Sequence, residues 1–263
     1  MNEQAFDIWR EIIEQGTKCL AQERYPEAEK YFAQGVALAQ ELGIAVALAF
    51  SLRLWATAKV KLGQLDQAKE GFEKALDICQ AIDNRKGISE AKAGLASVFL
   101  AKGSLEEAAR CYEEAIEVYP PSSPRLRLAM IYTDLGQVYS NMEDWGKAQN
   151  AYQHAINLCQ FSGYQRGVGE LSVLMGEIFY KQGKIEEAKK WISESCIIFL
   201  GLDSESSLAN AFQYLAFIHF ETDELEAAIQ HQLRAIALWL RQKDEQEASE
   251  SCYFLSKILQ RYG

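Results

Sequence analysis

The chain repeats itself every forty residues, and this period constrains its fold more than any other feature of the sequence. An alanine returns six times in the same phase, with no insertion between the copies. A small residue stands twelve positions before each of these alanines, and another stands seven positions after it. Self-similarity at a period of roughly 20–50 residues is typical of solenoid proteins, in which each repeat packs on its neighbours. The six alanines are Ala28, Ala68, Ala108, Ala148, Ala188 and Ala228.

Within each repeat the pattern predicts a helix, a tight turn and a second helix. A large apolar residue three positions before the repeated alanine, a usually aromatic residue four after it, the small residue seven after it and an aliphatic residue ten after it fall on one helix face. Gly103 marks the turn of the third repeat, and Ser104 with Glu107 predicts a capping box at the start of the next helix. Ser123 followed by Pro124 predicts an N-cap and the first residue of the helix that opens the fourth repeat.

The fourth repeat carries the clearest resemblance to a known family. Its Leu135-Gly136-Gln137-Val138-Tyr139 segment, followed by Ala148, Tyr152 and Ala155, resembles the tetratricopeptide repeat (TPR). The forty-residue step resembles the longer TPR subtype of LGN/Pins-type adaptors, kinesin light chains and bacterial peptide-sensing regulators. The resemblance implies an all-α fold, a right-handed superhelical solenoid of six helix-turn-helix repeats with a C-terminal capping helix.

The expected organisation is a single TPR solenoid over residues 1–263. A proline-rich segment, Pro120–Pro124, separates the third and fourth repeats. It is either a hinge or a rigid loop, and the unbroken period favours the loop. The predicted repeats cover residues 5–40, 45–80, 85–120, 124–160, 165–200 and 205–240, and the capping helix covers residues 244–262.

Composition limits the classes of partner. The formal net charge is -10, and the acidic residues prevail at both ends of the chain. A nucleic-acid partner or an anionic membrane surface demands clustered Lys and Arg, so neither is expected. The N-terminus shows no signal-peptide pattern, and no apolar run is long enough to span a bilayer. The expectation is a cytoplasmic protein that is a monomer.

No catalytic or metal-binding pattern emerges from the sequence. The six cysteines form no CxxC pair, and His154, His219 and His231 have no ligand set at metal-binding spacing. His219 stands where other repeats place Tyr139 and Phe179, which predicts a packed histidine. We therefore expect no enzyme activity, no metal and no cofactor.

The TPR resemblance implies that a partner binds on the concave surface, which the first helix of each repeat lines. The chaperone-tail receptors of the family hold a C-terminal carboxylate with a clamp of Lys and Asn at these positions. No such Lys/Asn pairing occurs here in consecutive repeats, so that function is disfavoured. The later repeats are aromatic, and two interpretations of Phe217, Phe220 and Phe254 stay open, partner anchors or helix–helix packing. The expected groove residues are Arg53, Thr57, Lys61, Thr133, Asp134, Gln137, Asn141, Glu177, Tyr180, Lys181, Gln213, Tyr214, Phe217 and Tyr253.

Two functions follow from the resemblance. The first is a scaffold or adaptor that holds a partner's peptide or helix in the groove, with an assembly factor as one form of it. The alternative is a regulatory sensor that binds a peptide or another ligand and changes its superhelical pitch.

Overall fold

The computed structural model describes residues 2–263, which contain thirteen α-helices and no strand. Each forty-residue repeat of the sequence spans two helices, and the thirteenth helix follows the sixth repeat at the C-terminal end. The all-α repeat architecture that the sequence predicts is confirmed. The helices are α1 Asn2–Ala21, α2 Tyr25–Glu41, α3 Ala45–Lys61, α4 Leu65–Ala81, α5 Arg85–Ala101, α6 Leu105–Val118, α7 Arg125–Asn141, α8 Trp145–Phe161, α9 Gln165–Lys181, α10 Ile185–Gly201, α11 Glu205–Glu221, α12 Leu225–Gln242 and α13 Glu245–Tyr262.

Most helices end at a residue with left-handed backbone, and these residues recur every twenty positions. Glycine is the residue that adopts this conformation without steric cost, and Gly63, Gly103 and Gly183 do so with φ of 73°, 78° and 74°. Three non-glycine residues hold the same place, between the two helices, in the other repeats. Six further residues with left-handed backbone follow the second helix of a repeat or end the chain. The non-glycine members are Glu23, Asp83, Glu143, Asp203, Asp223 and Lys243.

The hydrogen bonds at the Gly103 turn differ from those of the predicted capping box. Ser104 N donates to Phe99 O at 2.9 Å and Gly103 N donates to Leu100 O at 3.0 Å, which is the Schellman arrangement at a helix C-terminus. Ser104 is the N-cap residue of α6, but its side chain makes no capping hydrogen bond. Because the Ser104 N–H already closes the preceding helix, it is not free for Glu107, and the predicted box is wrong.

The start of α7 also differs from the prediction. Pro124 is the N-cap residue rather than the first helical residue, since its ψ of 121° is extended, and the helix begins at Arg125. The Tyr119 hydroxyl donates to Pro124 O at 2.7 Å and ties the end of the proline-rich segment to the end of α6.

The chain forms two compact units that divide between Glu143 and Asp144. Unit 1 contains α1–α7, and unit 2 contains α8–α13. The division falls in the turn of the fourth repeat, and the Pro120–Pro124 segment lies inside unit 1. A single continuous solenoid and a hinge at the prolines both stay predictions.

The repeated small residues are packing positions in both units. All six alanines of the period have no exposed surface. A Cβ added to Gly16 in unit 1 would lie 2.6 Å from Phe32 Cε1, and one added to Gly176 in unit 2 would lie 2.5 Å from Ile192 Cγ1. Small residues therefore let paired helices approach closely while a large residue of the facing helix fills the space beside them.

Helix α13 begins at Glu245, one residue after the predicted start, with the Asp244 side chain accepting from Glu247 N at 3.1 Å. It packs on α12, where Gln232 replaces the usual aromatic residue. Gln232 is buried, and its Nε2 donates to Ser251 O at 2.9 Å, so the exception serves the contact with the capping helix. Over residues 2–263, every helix is too short or too polar to cross a lipid bilayer.

Candidate functional site

Unit 1 contains a cavity of about 560 Å³ between the first helices of three successive repeats, α3, α5 and α7. We call it the unit 1 cavity. Its floor includes Phe72 and Tyr112 from the second helices, and its rim carries the exposed side chains of Phe50 and Met130. Charged and polar side chains occupy the walls. The polar lining residues are Arg53, Thr57, Lys61, Glu90, Ser97, Arg127 and Asp134.

The forty-residue period explains why these residues converge. Phe50, Glu90 and Met130 hold the same position in three successive repeats, so the repeat places them side by side. Gly94 and Asp134 are likewise equivalent positions, one repeat apart. The scaffold aligns the positions, while the residue types at these positions do not repeat and give the cavity its own chemistry.

An ion pair joins two walls of the cavity. The Arg53 guanidinium of α3 contacts the Glu90 carboxylate of α5, and the side chains are only 12% and 14% exposed. The guanidinium also lies over the Phe50 ring, 5.4 Å from its centroid. Burial, with a smaller contribution from the charge of Arg127, lowers the pKa of Arg53 to about 10, so Arg53 remains charged at neutral pH.

Helix α7 contributes a cation and an acid that are not paired. Among the residues that the structure describes, neither the Arg127 guanidinium nor the Asp134 carboxyl has a hydrogen-bond or ion-pair partner. Withdrawal of bulk water by the surrounding helices raises the pKa of Asp134 to about 6, while the charge of Arg127 opposes that rise. Asp134 keeps accessible surface because it faces the open cavity. Burial also raises the pKa of Tyr112, with the Asp134 charge adding to the effect.

Four of the predicted groove residues of unit 1 line this cavity, and three do not. The four are Arg53, Thr57, Lys61 and Asp134. The other three lie on α7 outside the cavity lining: the Thr133 hydroxyl donates to Ala129 O at 2.9 Å, and Gln137 Nε2 donates to Asn141 Oδ1 at 3.0 Å.

Sequence reasoning missed Glu90 and Arg127. Glu90 precedes Ala93 by three residues, and Arg127 precedes Asp134 by seven, so both share a helix face with positions that the TPR resemblance assigns to the groove. Both residues lie one or two helical turns before these positions, so the spacing of residues on the helix face could have indicated them.

The predicted groove residues of unit 2 form an aromatic contact between α9 and α11. Tyr180 and Phe217 meet edge to face with ring centroids 5.5 Å apart, and Phe217 is 39% exposed. Tyr214 is 38% exposed, and its pKa is raised by burial and by the charge of Glu177. Burial and the charge of Glu221 raise the pKa of Tyr180 as well. Tyr180 and Phe217 therefore pack on each other, while Phe217 and Tyr214 present ring surface to solvent.

The remaining predicted residues of unit 2 have local partners. Glu177 and Lys181 form an i, i+4 ion pair at 2.8 Å, and Gln213 Nε2 donates to Ser251 Oγ at 2.6 Å. Tyr253 is 66% exposed, and the Lys257 ammonium lies 4.6 Å from its ring centroid.

Phe220 and Phe254 support the packing interpretation, since they meet edge to face between α11 and α13 with ring centroids 5.5 Å apart. Phe217 combines both interpretations, because it packs on Tyr180 and remains half exposed.

Two histidines of unit 2, His219 and His231, pack on each other and are not arranged as metal ligands. His219 Nδ1 lies 2.7 Å from Glu224 Oε2, and its ring stacks on that of His231 with centroids 5.2 Å apart. His231 Nδ1 is buried without a hydrogen-bond partner, and burial lowers the pKa of His231 to about 4. Within residues 2–263, no group of three His, Cys, Asp or Glu side chains is placed to hold a metal ion.

The sequence matches the protein family described as the MalT-like TPR region over residues 54–262. No curated protein matches the chain by sequence.

Solved structures share the fold at low identity. The chain is similar to a Signal Transduction ATPase with Numerous Domains (STAND) protein with a tetratricopeptide repeat sensor from Pyrococcus horikoshii, with a TM-score of 0.80, 16% identity, and coverage of 96% of this chain but only 38% of that protein. It is similar to the apo form of RapI, with a TM-score of 0.80, 13% identity, and coverage of 97% and 72%. It is also similar to the apo quorum sensor NprR from B. thuringiensis, with a TM-score of 0.66, 15% identity, and coverage of 97% and 77%.

Proposed function

Because the chain belongs to the family of MalT-like TPR regions, we propose that it is a non-enzymatic binding module for a protein or peptide. The first helices of its repeats present the partner-binding side chains. The observation that carries the proposal is the unit 1 cavity, which collects charged, polar and apolar side chains from three successive first helices. Binding sites typically combine apolar walls with a few polar groups that fix orientation.

The aromatic contact of unit 2 supports the same proposal. Tyr180 and Phe217 pack on each other, and Tyr214 and Phe217 keep exposed ring surface, as partner anchors at protein interfaces do. Two of the similar proteins are a STAND protein with a tetratricopeptide repeat sensor and a quorum sensor, and their sensor roles agree with this proposal.

A crosslinking pull-down from the native lysate tests the proposal. We expect wild-type protein to capture a discrete partner, and the Tyr180→Ala, Tyr214→Ala double variant to capture at least about tenfold less, since aromatic anchors at interfaces commonly contribute about 2 kcal/mol each. Phe161→Ala is the matched control, because Phe161 is a 71% exposed aromatic residue at the end of a second helix.

Melting curves of all variants check that the fold is intact. Equal capture by the double variant and the wild type would remove the aromatic residues of unit 2 from the binding surface. Capture that fails equally in the Phe161 control would show that the loss is unspecific.

A second candidate is a sensor whose shape changes when a ligand binds. The division of the chain into two compact units favours it, because a change between units requires no unfolding within either. Small-angle scattering of the protein with and without the captured partner peptide would show a change in the radius of gyration. An identical radius would argue against the sensor and leave the binding module untouched.

A further inference from the structure

The charges of the unit 1 cavity divide into two kinds. Arg53 and Glu90 neutralise each other across the cavity in a contact with little exposure. Arg127 and Asp134 line the same cavity, and neither side chain forms a hydrogen bond or an ion pair with another of the residues described. An unpaired charge beside a partly dry cavity gains from a ligand of opposite sign more than the same charge would in open water.

The two unpaired groups are too far apart on α7 to neutralise each other. They are separated by seven residues, and at 1.5 Å per residue their Cα atoms lie about 10 Å apart along the helix axis. They act on each other at a distance, since the charge of Arg127 lowers the pKa of Asp134. A single small anion or cation would satisfy one of them and leave the other unpaired.

An extended peptide has the dimensions to reach both groups. In the polyproline II conformation an extended chain rises about 3.1 Å per residue with three residues per turn, so side chains three residues apart share one face, lie about 9 Å apart and can reach both charges. The surface beside them is apolar, with Ile131 between them in the sequence and Met130 and Phe50 exposed at the rim. The carboxylate of the ligand would face Arg127, and its cation would face Asp134.

We propose that the unit 1 cavity binds a short extended peptide segment with a carboxylate and a cationic side chain three residues apart, the carboxylate held by Arg127 and the cation by Asp134. The inference rests on the proposed peptide-binding function and names the chemistry of the peptide. Three cations and two acids line the cavity, so the lining carries a formal charge of about +1 in a chain whose net charge is -10. This local excess of positive charge favours the carboxylate as the first contact.

Binding should depend on pH through Asp134. Its pKa of about 6 means that a proton blocks the cation site in mildly acidic solution. The other titratable groups that line the cavity are Arg53, Lys61, Glu90, Tyr112 and Arg127. Between pH 7.5 and 5.5 the ionised fraction of a group with that pKa falls about fourfold, whereas a peptide glutamate with a pKa of about 4.3 stays ionised.

A nuclear magnetic resonance titration of the full-length protein with defined peptides tests the inference. The probe is acetyl-Glu-Ala-Ala-Lys-amide, with the order acetyl-Lys-Ala-Ala-Glu-amide tested in parallel, and the better binder of the two is then used. We expect a dissociation constant of about 1 mM or tighter, with shifted amide signals concentrated in α3, α5 and α7. Replacing the Glu or the Lys of the peptide by Gln should weaken binding about tenfold, because each change removes one charge-assisted contact.

Variants assign the two ends of the peptide. Arg127→Gln should abolish the advantage of the Glu-containing peptide over its Gln counterpart, and Arg127→Lys should restore part of it. Asp134→Asn should abolish the advantage of the Lys-containing peptide and the fourfold pH dependence. Arg110→Gln and Asp77→Asn are the controls, since both residues are exposed on second helices, and they should bind as the wild type does.

Three results would overturn the inference: neither order of the peptide binds at about 10 mM, the shifts lie outside unit 1, or the Gln peptides bind as well as the charged one. None of them would refute the proposed function, because capture of a partner through Tyr180 and Tyr214 is measured independently. Equal capture by the wild type and the Tyr180→Ala, Tyr214→Ala variant, with retained peptide binding, would refute the aromatic surface and leave the cavity standing.

Discussion

Unit 1 and unit 2 share their packing positions and differ in what their first helices present. In unit 1 the first helices surround a cavity with Arg53, Glu90, Arg127 and Asp134. In unit 2 the corresponding helices meet through aromatic rings, with Tyr180 against Phe217. The repeated alanines are equally buried in both. The comparison teaches that the period fixes where side chains meet, while the unrepeated residues decide whether the meeting surface is charged or aromatic.

The largest expected effect comes from removing one partner of an ion pair in each unit. Glu90→Gln leaves the Arg53 guanidinium without its counter-charge at a site where both side chains are nearly buried, and should cost about 3 kcal/mol of unfolding free energy. Glu177→Gln removes a more exposed i, i+4 pair in unit 2, with side chains 39% and 30% exposed, and should cost about 0.5 kcal/mol or less. Urea denaturation of the two variants measures both values.

Equal losses of unfolding free energy in these two variants would contradict the predicted electrostatic difference between the units. A double variant, Arg53→Met with Glu90→Leu, serves as the control. If the cost of Glu90→Gln arises from an uncompensated charge, the double variant should recover most of the lost stability.

The second prediction concerns what the units share. Ala108→Leu in unit 1 and Ala188→Leu in unit 2 each force a large side chain into a position with no exposed surface, and each should cost about 1–3 kcal/mol through overpacking. The costs should agree with each other, because the position is the same in both repeats. Thermal melting of the two variants measures them.

Unchanged melting of either variant would contradict the packing register of that unit. Ala101→Leu is a suitable control, since Ala101 is exposed at the end of a first helix and should tolerate the larger side chain.

The third prediction is that the two units respond to pH with opposite sign. The pKa of His231 in unit 2 is lowered to about 4 from an ordinary value of 6.5, so the unfolded chain binds the proton more readily and stability falls as pH drops from about 6.5 to 4. The effect should be about 1–2 kcal/mol, because the imidazole is partly buried and stacked on His219.

The pKa of Asp134 in unit 1 is raised to about 6 from 3.8, so the folded chain binds the proton more readily and stability falls as pH rises from about 4 to 6. Solvent in the cavity should keep this effect below about 1 kcal/mol. Denaturation of His231→Phe and Asp134→Asn across pH 4–8 separates the two contributions, since each variant should lose the slope of its own residue. Variants with the slope of the wild type would contradict the assignment.

The packing of the fold could be predicted from the sequence because it depends on positions that recur. The buried alanines, the small residues that face Phe32 and Ile192, and the glycine turns all follow from residues that return every forty positions. The capping box at Ser104 failed because one backbone N–H was assigned to a bond that the preceding helix already uses. Sequence spacing shows which groups are near, and not which of two bonds a single donor makes.

The candidate site could be predicted only in part for the same reason. The TPR resemblance named Arg53 and Asp134 as groove residues, and in the structure both line the unit 1 cavity. Helix periodicity places Glu90 and Arg127 on the same faces as groove positions, but it did not single them out, because their positions in the other repeats carry unrelated residues such as Phe50 and Gly87. Charges that occur once in an array come together through tertiary packing, which a repeat pattern does not encode.

The smallest expected effect concerns the turns, where one repeat position holds Glu23 in unit 1 and Gly183 in unit 2. Both residues have left-handed backbone, with φ of 59° and 74°. This conformation costs a residue with a Cβ about 1–2 kcal/mol, and glycine offsets part of the gain by its larger entropy in the unfolded chain. Glu23→Gly should therefore stabilise the protein by about 0.5 kcal/mol, and Gly183→Ala should destabilise it by about 1 kcal/mol. Urea midpoints of the two variants measure the pair, and a loss of stability in Glu23→Gly would mean that this side chain contributes a contact that outweighs the strain of its backbone.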